Sequence, residues 1–547
     1  MKNSIKVAIA ISGIALALAF TACTKKKEGA GGTGGSGKTF VYCSEGSPST
    51  FNPQLGTDGP TFNASSHTIY SGLVDFKTGT TEIEPALAES WTISKDGLTY
   101  TFVLRKGVKF HTSETYTPTR DFNADDVLFS FNRMRMKDHP YHLIGGGNYE
   151  YFTSMEMGKT IKDIRKTDDY TVTFQLSQKD APFLANLAMD FASILSAEYG
   201  DKMQAAGTLE KVDTEPVGTG PFVFQRYQKD TMIRYKAHEQ YFRGRPKLDT
   251  LVFSITPDPS VRTQKLKARE CHLIAEPSPQ DLDSLKATPT VEVLDKEGLN
   301  VGYLAMNTEK APFNKKEVRQ AINLALNKAS YMDAIYLGRA TIAKNPIPPT
   351  IWSYNDDVKD YDFDIEKAKE LLKKAGLASG FETELWTLPV SRPYNPFGKK
   401  MGELMQADLA KIGIKVKLVT YDWPTYLDKS SKGEHQMLQL GWTGDNGDPD
   451  NFMNVLLGCS GVKGGSNVAR WCHKPFNDLV QKAKQVTDLP ERTKLYKQAQ
   501  VVFKEEAPWV TLAHARVFRA LDKSVKGYVI HPFGSELFAT VDLENLK

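Results

Sequence analysis

Lys315-Lys-Glu-Val-Arg-Gln-Ala-Ile-Asn-Leu-Ala-Leu-Asn-Lys328 spaces Val318, Ile322 and Ala325 so that they fall on one face of a helix. Ile365 to Ala375 repeats the pattern and runs into Gly376, a common helix stop. Leu98-Thr-Tyr-Thr-Phe-Val-Leu104 alternates instead, as a half-buried strand does, and Tyr170, Thr171, Val172, Thr173 and Phe174 alternate more cleanly. Both periods in one chain predict a mixed α/β fold. The 547 residues exceed what one core holds, so roughly two to four lobes are expected. With 40% hydrophobic and 24% charged residues the composition is globular, neither disordered nor fibrous. No internal repeat is evident.

Upstream, Lys2 and Lys6 precede an apolar run from Val7 to Ala22, too short for a membrane span and shaped like a secretory signal. It ends in Phe20-Thr-Ala-Cys23, which resembles the site at which bacterial lipoproteins are cut and lipidated on Cys23, with Phe20 in place of the usual Leu. A plain signal cut near Ala22 is the alternative. Residues 1–22 are therefore expected to be a leader, and 23–37 a lipid-bearing start followed by a flexible glycine-rich tether. Setting aside the five bases and one acid of this segment brings the formal charge from +4 to zero from Lys38 onward. A neutral body has no general attraction for nucleic acid or anionic lipid. Gly32-Thr-Gly-Gly-Ser-Gly-Lys-Thr39 fits the phosphate-loop pattern, but it follows a tether and precedes a β-rich segment, whereas such a loop must join a buried strand to a helix.

With Cys23 on the lipid, Cys43, Cys271, Cys459 and Cys472 remain, an even number that suggests two disulfides with three possible connectivities. Cys459 and Cys472 flank a short glycine-rich loop and pair naturally, which leaves Cys43 for Cys271. Zinc is the rival reading, prompted by Cys271-His272 and Cys472-His473, but no C-x-x-C or H-E-x-x-H accompanies them and no metal site is assigned.

Gly441-Trp-Thr-Gly-Asp445-Asn-Gly-Asp448-Pro-Asp450 gathers three carboxylates on backbone that glycine and proline keep irregular. The order does not match a calcium loop. A solvated turn is the bland reading; the flanking Trp442 argues for partial burial, and a buried carboxylate needs a positive partner, which a ligand ammonium would supply. Arg392, in Ser391-Arg-Pro-Tyr-Asn-Pro396, offers the planar fork that suits a carboxylate. Together with Asp445 it suggests a site for both ends of a zwitterion. No G-x-S-x-G elbow or zinc-protease pattern occurs, which makes a secreted hydrolase the least favoured class.

Cys43-Ser-Glu-Gly-Ser47, Leu87-Ala-Glu-Ser-Trp91, Phe102-Val-Leu-Arg-Lys-Gly-Val-Lys-Phe110 and Ala124-Asp-Asp-Val-Leu-Phe-Ser-Phe131 resemble the family 5 solute-binding proteins of ABC peptide importers. Gly218-Thr-Gly-Pro-Phe222, Asn300-Val-Gly-Tyr303 and Val318-Arg-Gln-Ala321 extend the likeness, and the segments around Arg392 and Asp445 resemble its dipeptide-binding members. The resemblance covers the chain from about Lys38 to the end.

It implies an α/β, two-lobed periplasmic binding protein fold (class II) with a hinge. Lobe I would be residues 38–299 plus 516–547, with an inserted subdomain at about 70–219, and lobe II residues 300–515. It implies a non-enzymatic receptor, without cofactor, that closes on a dipeptide and delivers it to permease and ATPase subunits at the inner membrane. Asp445 would hold the amino group and Arg392 the carboxylate, with Tyr394, Trp442, Gly444, Gly46 and Ser47 as further contacts. The family's two disulfides match the pairing above; a lipid anchor departs from its freely soluble members. The expected protein is monomeric and lies in the periplasm or cell envelope. Haem, nickel or longer peptides are the alternative ligands.

Overall fold

The computed structural model describes residues 37–463 and 466–544; the leader and Cys23 lie outside the described residues. Thr99–Leu104 is a strand that buries Tyr100, Phe102 and Leu104, and its antiparallel neighbour Thr171–Leu176 buries Val172, Phe174 and Leu176. Both follow the alternation in the sequence. They are the central strands of a four-stranded sheet completed by Ala88–Ile93 and Ile161–Asp168. The helix Ala124–Arg135, started by a capping box between Asn123 and Asp126, sends Phe131 onto Phe174 at 5.1 Å between ring centroids.

Among the described residues the larger sheet has twelve strands. Strand β1 (Thr39–Ser44) pairs parallel with Thr250–Ile255. Strand β2 (Asn300–Met306), buried at every position, runs antiparallel to β3 (Met437–Thr443). Strand β4 (Trp509–Asp522) runs first against β2 and then against Val291–Glu297, so one strand belongs to both halves of the sheet. At the changeover the Asn300 side chain donates to the Ala515 carbonyl and accepts from the Ala515 amide, each at 2.9 Å. That double bond fixes the register where the partner strand changes.

A second core lies behind β2 and β3. There Val318, Ile322 and Ala325 of the helix Lys316–Ala325 are buried against Leu372 and Met405, as their spacing predicts. The helix Ile365–Lys374 ends just before Gly376, whose φ of 78° is the left-handed geometry of a helix stop. Disulfides join Cys43 to Cys271 and Cys459 to Cys472, with Cα atoms 5.8 and 4.6 Å apart. Their sulfurs are thus not thiolates available to zinc. Among the described residues no helix is long and apolar enough to cross a membrane.

Candidate functional site

The three carboxylates of the 441–450 loop have different surroundings. Asp448 is gripped by both arms of Arg492 at 2.8 Å, a buried bidentate pair that answers its need for a cation within the protein. Asp450 is buried at the start of the helix Asp450–Leu457, with the Tyr496 hydroxyl at 3.4 Å and its backbone amide donating to Asp448 at 2.9 Å. Asp445 has no cation beside it. One of its oxygens accepts from the Tyr151 hydroxyl at 3.0 Å; the other is buried and has no hydrogen-bond partner. Burial pushes the carboxyl up to about 7, against the opposing hydrogen bonds.

Asp445 borders a cavity of about 510 Å³. Arg392 borders the same cavity. The Arg392 backbone makes a tight two-way bridge with Asn395 and its guanidinium lies 5.3 Å over the Trp423 ring, with no carboxylate partner among the described residues. The Asn395 side chain is tied to Gln439 on β3 at 3.1 Å, so the proline-braced turn is anchored to the sheet. Tyr394 is buried on the face of the sheet over Gly302 of β2 and Gly441 of β3. Its carbonyl accepts from the Tyr336 hydroxyl at 2.7 Å, and it borders the cavity together with Trp442. Trp442 donates to Asn451 at 2.9 Å, and Asn451 also accepts from the Asp445 amide at 3.0 Å, which sets the loop's direction as it leaves the strand.

Three expected contacts are placed elsewhere. Ser47 exchanges hydrogen bonds with Asp230 at 2.7 and 3.1 Å, and Gly46 sits in the turn that Ser44 closes; neither borders the cavity. Gly444 does not border it either. A side chain there would come within 2.6 Å of the Phe452 ring, so this glycine serves packing. The neighbouring Glu45 lines the cavity instead.

Sequence reasoning also misses Tyr151, Glu150, Asp190 and Arg519, all on the cavity wall. Burial works against the charge on Asp190, but the His67 imidazole 3.0 Å away holds its carboxyl below the usual range. Arg519 is saturated by Glu536, Glu276 and the Gly534 carbonyl. A lone carboxylate and a lone guanidinium facing one space can hold a small molecule that carries both charges.

The profile of the bacterial extracellular solute-binding proteins, family 5 (middle), matches residues 82–464. The chain is 54% identical to the dipeptide-binding protein of Escherichia coli K12, over 93% of this chain and 95% of that protein. It is 52% identical to heme-binding protein A of Haemophilus influenzae Rd, over 93% of each. A dipeptide-binding protein from Pseudoalteromonas sp. SM9913, solved with Met-Leu, superposes with a TM-score of 0.89 at 40% identity, covering 93% of this chain and all of that one.

Proposed function

The chain belongs to the family 5 bacterial extracellular solute-binding proteins and has their two-lobed α/β fold; on that premise we propose that it is the receptor of an ABC importer and captures dipeptides. The observation that carries this reading is the pairing, in one cavity, of an Asp445 oxygen without a protein partner and an Arg392 guanidinium without a carboxylate. Asp445 takes the peptide's amino group and Arg392 its carboxylate. Tyr394 and Trp442 form part of the wall between them.

The length limit follows from geometry. Consecutive Cα atoms are about 3.8 Å apart, so each added residue lengthens an extended ligand by roughly 3.5 Å. Two charges fixed in a closed cleft do not follow that change.

In this reading lobe I is residues 38–299 plus 516–547, with the subdomain at about 70–219, and lobe II is residues 300–515. The hinge is where β4 exchanges partners beside Asn300. Bonds that support a closed cleft run from the subdomain to lobe II: Tyr151 to Asp445 at 3.0 Å, Asn446 to Asn186 at 2.8 Å, and Lys484 to the Met155 carbonyl at 3.0 Å. The protein acts outside the cytoplasm as a monomer, held to a membrane through lipid on Cys23, and passes its ligand to permease and ATPase subunits without altering it.

Titration calorimetry with one dipeptide, its N-acetylated form and its C-terminal amide tests the assignment. Tight binding of the free peptide and loss of binding for both blocked forms are expected. Equal binding of blocked and free peptides overturns it, and tight binding of haem with none of dipeptides assigns the protein to the ligand class of its haem-binding relative.

A further inference from the structure

Among the described residues, seven carboxylates and two guanidinium groups border the cavity. Most of the acids have partners in the protein. Asp190 has His67 at 3.0 Å, Glu276 has Arg519 at 3.2 Å and Asp428 has Lys432 at 2.7 Å. Asp58 accepts from the Thr61 amide at 3.0 Å at a helix start. Under the dipeptide reading the ligand's own termini satisfy Asp445 and Arg392. Two acids remain, Glu45 and Glu150.

Glu45 accepts from the Tyr42 hydroxyl at 3.3 Å and lies near the Arg519 network. Among the described residues Glu150 has only a long contact with the Ser466 hydroxyl, at 3.5 Å, and no cation, and desolvation raises its carboxyl above the ordinary range. Its position in the helix Glu150–Ser154 puts it one residue before Tyr151, whose hydroxyl touches Asp445. It therefore belongs to the end of the cavity that takes the amino group. Glu150 is half-buried on the cavity wall, and a carboxylate there without a cation attracts one and repels a second acid.

We infer that Glu150 selects the ligand's charge: dipeptides with Lys or Arg, above all in the first position, are preferred substrates, and those with Asp or Glu there are rejected. This inference rests on the dipeptide reading. A merely local role for Glu150, as an acid in the first turn of a short helix, would leave affinity indifferent to the ligand's side-chain charge.

Calorimetry of the full chain with Lys-Ala, Ala-Ala and Glu-Ala decides it. In the parent, Lys-Ala binds about tenfold tighter than Ala-Ala, and Glu-Ala about tenfold weaker, the order of effect of one close charge in an excluded-water site. In Glu150→Gln the spread shrinks to about threefold or less, and in Glu150→Lys the order of Lys-Ala and Glu-Ala inverts. Equal affinity of the parent for Lys-Ala and Ala-Ala overturns the inference but leaves the dipeptide reading standing, as does a spread that persists in both variants. Failure of all three peptides to bind the parent overturns the dipeptide reading itself. Because the parent comparison is decisive alone, a variant that misfolds does not shield the inference.

Discussion

Gly302 on β2 and Gly441 on β3 are register partners, and Tyr394 occupies the space their missing side chains leave. A Cβ on Gly302 would come 2.4 Å from the Tyr394 carbonyl oxygen, and one on Gly441 would come 2.2 Å from its ring. Three segments far apart in sequence thereby meet at one point, and the turn that carries Arg392 is seated on the sheet by shape.

Gly441→Ala therefore displaces the Tyr394 turn and takes Arg392 with it. The expected cost is about 1 to 3 kcal/mol of stability from overpacking, with at least about a tenfold loss of dipeptide affinity, because in the proposed clamp a guanidinium moved by an ångström no longer meets the ligand carboxylate. Thermal unfolding and calorimetry on the same preparation check it. An affinity loss without a stability loss would locate the effect elsewhere.

In the proposed clamp the Asp445 carboxyl, pushed by burial up to about 7, should make binding pH-dependent. A ligand ammonium favours the ionised form, so below about pH 7 binding must expel a proton and affinity falls by up to about tenfold per unit. Calorimetry in two buffers of different ionisation heat should show that release at pH 6 and its near absence at pH 8. In the ligand-free protein the sign runs the other way. The folded-state value lies above the unfolded value of about 3.9, so ionisation of the unfolded chain lowers stability from about pH 4 to pH 7 and the penalty is constant above. Asp445→Asn should be more stable than the parent above pH 7, gain nothing near pH 3, and lose about 30-fold to several-thousand-fold in affinity.

Arg492→Ala strands Asp448 in a buried site. A loss of about 3 to 5 kcal/mol is expected, and Asp448→Asn in the same chain should recover part of it, since the remaining group is then neutral. Denaturant unfolding of both single variants and the double variant closes the cycle.

The two disulfides should fail differently. Cys43 and Cys271 are 228 residues apart, Cys459 and Cys472 only 13. Chain entropy predicts losses of about 5 and about 3 kcal/mol on their removal as Ala pairs. The shorter bridge closes the loop that brings Ser466 and Val468 to the cavity, so its loss should also weaken dipeptide binding, while loss of the longer bridge should leave affinity near the parent's. Paired unfolding and binding measurements distinguish the two.

The segments around Arg392 and Asp445 are legible in the sequence because proline and glycine mark irregular backbone, where polar groups need partners beyond a regular ladder. The 98–104 and 170–174 alternations and the Lys315–Lys328 face are legible because burial on one side imposes a period. Glu150 and Tyr151 are not. Their helix has five residues, too few to show a period, and 294 positions separate Tyr151 from the carboxylate it touches. The sorting of Asp445, Asp448 and Asp450 is equally hidden, since it depends on where Arg492 arrives from a helix more than forty positions onward. Gly444 packs against the Phe452 ring and does not border the cavity, a placement its position in the acidic loop does not reveal.

Strand β4 follows β2, Val291–Glu297 and Ala340–Ile342 in the chain, yet all three depend on it for a partner. During synthesis the ribosome delivers β4 after all three, so until then neither half of the large sheet has its full complement of hydrogen bonds. Pairings this distant in sequence also form slowly. Both halves of the large sheet therefore become complete together, once β4 has emerged, and a chain that works outside the cytoplasm keeps its largest sheet unfinished until that point.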